Sequence, residues 1–349
     1  MADRVLMSGN EAAAEAAIRA GCRFYYGYPI TPQNELTAYM AAHMAEAGGT
    51  FIQAESELAA INMCYGTSAT GKRVMTSSSS PGVSLKQEGI SYMAGAELPV
   101  VIVNVQRGGP GLGDITPAQG DYYQSTRGGG HGDYRTIVLA PHSVQETADL
   151  VMEGFDLADL YRIPTLILSD AHVGQLMEPV EFRPPSRRAL PDKSGWALGN
   201  AGGRPQHIVK SFFWKMGDLE RFNEHLREKH ARIERDEPRA EDFDAADAEV
   251  VVVAYGTPAR AAKEAVVQLR AAGVKAGLIR PITLWPFPTE RIRKASERAR
   301  AVLVVEMSLG QLVDDVRLSV EGRCPVHLFA RAGGWVPSVK EIIERVGAL

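Results

Sequence analysis

Cysteine is scarce in this chain: Cys22, Cys64 and Cys324 are the only three in 349 residues. No two form a Cys-x-x-Cys pair. The set reads as reduced thiols rather than a disulfide framework, and it cannot ligate a four-cysteine iron–sulfur cluster. Long apolar runs are missing too, and none approaches the ~18 residues of a membrane-spanning helix. Residues 1–20 contain Asp3, Arg4, Glu11, Glu15 and Arg19 with no apolar core, which argues against a signal peptide and for a cytoplasmic protein. An excess of basic charge is also lacking. With a formal net charge of −4, neither nucleic acid nor an anionic membrane is an expected partner.

Several chemical signatures are absent as well. There is no Gly-x-x-x-x-Gly-Lys-Ser/Thr phosphate loop, and the run Gly108–Gly113 lacks the order of a dinucleotide loop and is interrupted by Pro110. The serines of Thr76–Gly82 have no Gly-x-Ser-x-Gly elbow around them, which speaks against a serine hydrolase. His131, within Gly128–Asp133, has no partner at metal-ligand spacing, so a loop surface is its expected place and no metal site is expected in this chain.

A 45% hydrophobic and 23% charged composition is ordinary for a globular protein, and the length suffices for two domains. Residues 1–175 alternate helical and strand patterns in the manner of a parallel α/β sheet with helices on both faces. Strands are predicted at Phe24–Tyr28, Thr50–Gln53, Arg73–Ser77, Pro99–Val105, Thr136–Leu139 and Pro164–Leu168. Asn10 is the expected cap of an alanine-rich helix from Glu11 to Ala20, and Ser143-Val144-Gln145-Glu146 has the spacing of a capping box. Residues 176–247 read as an extended connection, rich in proline, glycine and charge and without strand alternation. It contains Arg183–Arg188, Gly195–Gly203 and a helix-like run from Asp218 to Arg235. From residue 248 to 349 a second α/β unit is predicted, beginning with the run Glu249–Pro258 and with further strands at Val274–Ile279, Ala301–Val305 and Val326–Phe329.

Three places could carry chemistry. Tyr25-Tyr26-Gly27-Tyr28-Pro29-Ile30-Thr31-Pro32-Gln33 reads as a strand that breaks at proline and restarts as a helix, with Thr31 at the N-cap, Pro32 at the first helical position and an anion-ready end. Glu57 opens the next helix among apolar neighbours. It either complements the helix dipole or is a partly buried acid with a tuned proton. Arg107 follows the apolar strand Val100–Val105 and precedes Gly108-Gly109. It is either a solvated turn residue or a cation beyond the carboxyl edge of the sheet, where α/β proteins bind anionic ligands.

The order of these segments resembles the α subunit of 2-oxoacid:ferredoxin oxidoreductases. The likeness runs through Tyr28–Pro32, Gln53-Ala54-Glu55-Ser56-Glu57, Ser77–Gly82, Arg107–Pro110, His131-Gly132-Asp133, Ser143–Glu146 and Leu278–Pro288, and it covers almost the whole chain. It implies a thiamine-diphosphate-binding fold of the pyrimidine type, followed by a transketolase C-terminal-like domain. Glu57 would hydrogen-bond the pyrimidine ring and favour the imino tautomer that deprotonates the thiazolium. Tyr28, Pro29 and Ile30 would line the cofactor, and Thr31 and Arg107 would meet the 2-oxoacid.

The resemblance also implies what must lie elsewhere. The diphosphate-site signature of thiamine enzymes is absent, so Mg2+ and the diphosphate belong to a β subunit. Iron–sulfur clusters belong to γ and ferredoxin-like δ subunits that reduce ferredoxin, and coenzyme A is the co-substrate. The stretches Gln53–Glu57, Ser77–Ser80 and Ala94–Pro99 look more like the branched-chain type, acting on 3-methyl-2-oxobutanoate, than like the 2-oxoglutarate type. An aromatic 2-oxoacid, a non-catalytic assembly subunit and a thiamine enzyme without iron–sulfur partners are the competing expectations.

Overall fold

The computed structural model describes residues 4–183, 188–200 and 202–349, so most of the run Arg183–Arg188 lies outside the described residues. The chain opens with β1 (Val5–Ser8) and α1 (Gly9–Arg19). It continues through β2 (Phe24–Gly27), α2 (Asn34–His43), β3 (Thr50–Gln53), α3 (Glu57–Ala69), β4 (Val74–Ser78), α4 (Ser80–Gly95) and β5 (Val100–Gln106). Next come α5 (Tyr122–Arg127), β6 (Ile137–Leu139), α6 (Val144–Tyr161), β7 (Pro164–Asp170), α7 (Ala171–Gln175), β8 (Met177–Val180) and α8 (Asp218–Asp236). The remainder is β9 (Ala240–Phe243), β10 (Val250–Val253), α9 (Gly256–Ala271), β11 (Ala276–Pro281), β12 (Thr283–Trp285), α10 (Thr289–Ser296), β13 (Ala301–Glu306), α11 (Leu312–Val320), β14 (Val326–Ala330) and α12 (Val339–Gly347).

The first sheet has the order β12-β6-β7-β5-β4-β2-β3, parallel except for β12. Its central strands β5 and β7 are buried along their whole length, as expected where helices cover both faces. Helix α1 packs between α2 and α6 on one face, while α3 and α4 pack together on the other. Alanines make the first contact close: Ala12, Ala13, Ala14, Ala16 and Ala17 are all buried. Ser8, not Asn10, caps α1, because Ser8 and Glu11 form a reciprocal capping box. Asn10 instead lies inside the helix and buried, with a distant task described below.

The second sheet has the order β14-β13-β10-β11-β9, with β9 antiparallel. The connection between the sheets is less featureless than its sequence suggests. Its ends hold β8, paired antiparallel with β1, and β9, an edge strand of the second sheet. Both have four residues and one solvated side, too short for alternation to register. The middle runs over the first unit, where Leu198 N–H donates to Ala69 C=O and Arg162 stacks on Trp196. Among the described residues no helix is long and apolar enough to cross a membrane.

The seam between the sheets is polar and ordered. Asp170, at the end of β7, accepts from the N–H groups of His172 and Val173 and from Thr257 N–H and Oγ1, so one carboxylate caps α7 and α9 together. Gln119 bonds Tyr255 C=O and both backbone groups of Met307. The segments Ser143–Glu146 and Leu278–Pro288 meet here. Arg280, 4% exposed, forks onto Glu146 at 2.8 and 2.9 Å and also donates to Glu241. Ser143 caps α6 as anticipated, but Glu146 does not complete the box. Its carboxylate is drawn to Arg280 and to the His142 ring and N–H.

Burial works to raise the Glu146 carboxyl, but the His142 hydrogen bond and the Arg280 charge outweigh it and hold the group near about 2, below its ordinary 4.5. A carboxyl depressed in the folded state stabilises the fold above pH 4.5 and loses that contribution as pH falls toward 2. The contribution is on the order of 3 kcal/mol. Arg280→Met leaves Glu146 without its main countercharge and should cost about 3–5 kcal/mol at neutral pH. Thermal unfolding between pH 7 and 3 should show a steep acid decline for the native chain and a shallower one for the variant. Parallel curves would contradict the coupling.

Candidate active site

Strand order reverses between β2 and β4. From β2 the chain moves outward to β3 by α2, then returns across β2 to β4 by α3 on the opposite face. The carboxyl ends of β2 and β4 therefore open a crevice of the kind in which α/β sheets bind ligands. Thr31, Glu57, the serine run and Arg107 all lie at that edge.

The segment after β2 is a turn and not a helix start, which corrects the reading of Thr31 as an N-cap. Helix α2 begins at Asn34, two residues later than anticipated. The reason lies in the carbonyls that a helix would have used. Thr31 C=O accepts from Arg107 Nη1 at 2.9 Å, and Pro32 C=O accepts from Asn10 Nδ2 at 2.8 Å. Gln33 N–H closes the turn onto Ile30 C=O, and the Gln33 side chain is fully buried, its Oε1 accepting from Ser77 Oγ and Thr37 Oγ1. The Thr31 hydroxyl is half-buried and accepts from Asn34 Nδ2, while Tyr28 and Pro29 stay exposed and Ile30 half-buried.

Glu57 stands in the first turn of α3, whose cap is Ser56. Of the two readings open for it, the structure favours the buried acid: Glu57 is 6% exposed. Its carboxylate makes no hydrogen bond among the described residues. It rests against Gly82 in the first turn of α4, where a Cβ would lie 2.5 Å from Glu57 Oε1 and 2.1 Å from Ser78 Oγ. The hydroxyls of Ser78 and Ser79 are buried without partners as well. Buried polar groups left unpaired cost about 1–3 kcal/mol each, and a cluster of them marks a place built for a ligand.

Arg107 is buried, so it is not a solvated turn residue. Its Nη1 and Nη2 hold the carbonyls of Thr31 and Leu112, and its Nε is buried without a partner. Backbone holds it in turn: Arg107 N–H donates to Ser80 Oγ at 3.0 Å, and Ser80 donates to Asp121 at 2.6 Å. Asn104 completes the brace, donating to Asp121 and accepting from Ser80 N–H. Burial raises the Asp121 carboxyl, against the pull of Ser80 and Asn104. Ser80 thus links the three residues. It fixes Arg107, which fixes Thr31, and it begins the helix turn whose Gly82 seats Glu57. Sequence reasoning gave Asn104 and Asp121 no part in the site and read Asn10 as a cap; Gln33, Ser80 and Gly82 lay in segments it singled out but had no individual role. Asn104 left a trace of its own, as one polar residue inside an apolar strand.

Comparison with known proteins identifies the family. Residues 15–237 match the family model "Pyruvate flavodoxin/ferredoxin oxidoreductase, thiamine diP-bdg", and residues 248–342 match "Pyruvate:ferredoxin oxidoreductase core domain II". The chain is 50% identical to the ketoisovalerate oxidoreductase subunit VorB of Methanothermobacter thermautotrophicus, covering 98% of this chain and 96% of that one. It is 35% identical to the 2-oxoglutarate synthase subunit KorA of the same organism, over 99% of both. Among solved structures, the 2-oxoglutarate:ferredoxin oxidoreductase of Magnetococcus marinus superposes with a TM-score of 0.89 at 27% identity. That match covers 99% of this chain, which spans 65% of the other. A split-gene transketolase shares the fold alone, with a TM-score of 0.59 at 16% identity.

Fold and family models together define a thiamine-diphosphate-binding α/β protein with transketolase-like architecture. Within that class the chain belongs to the 2-oxoacid:ferredoxin oxidoreductase family.

Gly82→Ala should displace the Glu57 carboxylate, because no side chain fits between it and Ser78. Thiamine diphosphate affinity, read by calorimetric titration of the assembled complex, should fall about tenfold or more, the equivalent of one misplaced hydrogen bond. Unaltered affinity in a folded Gly82→Ala complex would show that Glu57 does not contact the cofactor.

Proposed function

We propose that this chain is the catalytic α subunit of an oxidoreductase that decarboxylates 3-methyl-2-oxobutanoate with coenzyme A, giving an acyl-CoA, CO2 and reduced ferredoxin. The observation that carries the reading is the bare, buried carboxylate of Glu57, set over Gly82 beside the Thr31–Arg107 clamp. Thiamine diphosphate, when bound, supplies the nucleophilic carbon and the electron sink that decarboxylation of a 2-oxoacid requires. The residues present fit its aminopyrimidine. Glu57 offers a carboxyl that shares a proton with a ring nitrogen, Gly82 leaves the space, and the unpartnered hydroxyls of Ser78 and Ser79 lie alongside.

Substrate would be held by the neighbouring pair. The Thr31 hydroxyl accepts from Asn34 and keeps its own proton to donate to the 2-oxoacid. Among the described residues no carboxylate hydrogen-bonds Arg107, so its charge remains available to the substrate carboxylate, with a strength that burial increases. Tyr28, Pro29 and Ile30 would border the cofactor. Their exposure suits a surface that another subunit covers.

We infer that the diphosphate and Mg2+ sit on a β subunit and the iron–sulfur clusters on γ and δ subunits. The relatives are themselves named as subunits, and this chain has three scattered cysteines. The branched-chain substrate is supported by the higher identity to the ketoisovalerate subunit, and 2-oxoglutarate is the second reading, supported by KorA and the Magnetococcus structure.

In the co-expressed complex, Glu57→Gln should lower 2-oxoacid-dependent viologen reduction by about 10²–10⁴-fold, the usual worth of a positioned acid–base group. Undiminished turnover would remove Glu57 from the chemistry. A panel of 3-methyl-2-oxobutanoate, 2-oxoglutarate, pyruvate and phenylglyoxylate should give its highest kcat/KM with the first. A dominant rate with 2-oxoglutarate would reverse the substrate assignment.

A further inference from the structure

A second buried ionisable group lies on the helix against which Glu57 rests, and the chemistry above leaves it unused. Lys86 is fully buried on α4, one helical turn beyond Gly82 and on the same face. Its ammonium donates to Thr76 Oγ1 at 2.6 Å and to Ser77 C=O at 3.3 Å, both on β4. Neither acceptor is charged. An ammonium held in a dry interior by two neutral oxygens is costly, and such groups persist where a countercharge is close.

Gly82 shows where that countercharge is, since the Glu57 carboxylate presses on the first turn of the same helix. One turn of α-helix rises about 5.4 Å, so carboxylate and ammonium face the same stretch of β4. The other titratable groups nearby are Cys64 on α3 and Tyr25 on β2, whose hydroxyl bonds Ser77 Oγ while Lys86 bonds the carbonyl of the same residue. Burial pushes both Cys64 and Tyr25 up to about 12, so each is neutral at working pH. Burial also pulls Lys86 down to about 8, against the countervailing influence of its neighbours. With Cys64 neutral, Glu57 is the neighbour that brings charge.

We propose that Lys86 is the countercharge of Glu57: a positioning residue whose ammonium, without touching the carboxylate, favours its place over Gly82. The consequence for cofactor binding rests on the proposed contact of Glu57 with the aminopyrimidine, whereas the coupling of the two charges does not. Lys86 touches neither cofactor nor substrate in this reading. It acts through the carboxylate above it.

Two measurements test it. The first is stability of the full chain as Lys86→Met, Glu57→Gln and the double variant, by denaturant unfolding. Paired charges predict that Lys86→Met is strongly destabilised and that adding Glu57→Gln recovers much of the loss, because the double variant strands no charge. A double variant no more stable than Lys86→Met refutes the pairing, including the case in which Lys86→Met fails to fold. The second is thiamine diphosphate affinity and kcat/KM of the assembled complex. Lys86→Met should lower both by about tenfold or more, and Lys86→Arg, which keeps the charge, should restore them. Unchanged affinity and kcat/KM in a folded Lys86→Met complex overturn the proposed positioning of Glu57. Full turnover in Glu57→Gln would instead remove the catalytic reading while leaving the stability coupling intact.

Discussion

A buried acid that bonds none of the residues around it is the constraint on which this end of the molecule depends. Among the described residues the Glu57 carboxylate makes no hydrogen bond, and the hydroxyls of Ser78 and Ser79 are buried without partners. A folded chain tolerates such a cluster only where the surrounding structure allows no alternative, and here it allows none. Helix α3 is capped independently by Ser56, so Glu57 has no capping duty that would turn it away. Helix α4 presents glycine at the one point where a side chain would collide with it. The cost falls on a scaffold whose core strands are buried throughout.

How much of this was legible beforehand follows from how local each cause is. The strands of the first sheet show as apolar runs because both faces are covered, and their ends were anticipated to within a few residues. Glu57 and Arg107 were visible as ionisable residues at the edges of apolar segments. The turn at Thr31 was not, because its conformation is decided by Arg107, 76 residues away, and by Asn10, 22 residues away, each taking a carbonyl that a helix would have used. The brace of Ser80, Asn104 and Asp121 was hidden for the same reason. Its members are unremarkable singly and gain meaning only from strand order. Strands β8 and β9 went unseen because edge strands of four residues leave no periodic trace.

The two sheets share one apolar cluster, and charged contacts join them as well. Asp170 serves two helices with one carboxylate, and Arg280 engages Glu146 and Glu241 from the buried side of the seam. Polar contacts of this kind are directional, so they fix the relative orientation of the units more tightly than an apolar patch of equal area. The site sits at the carboxyl edge of the first sheet, and the brace beneath Arg107 is one residue from the α5 tyrosines whose hydroxyls bond Asp314 and Asp315 of α11. The second unit therefore bears on the geometry of the crevice without supplying a residue to it.

Strand β12 gives the arrangement a further meaning. It leaves the second unit to pair with β6 and so becomes the last strand of the first sheet. An uncapped β6 would present a row of free N–H and C=O groups, the usual starting point for strand-to-strand aggregation. The first unit, for all its continuous core, is thus unfinished as a separate molecule. During synthesis it must wait, edge exposed, until more than a hundred further residues have emerged, and a gene cut between the two units would produce a half prone to self-association.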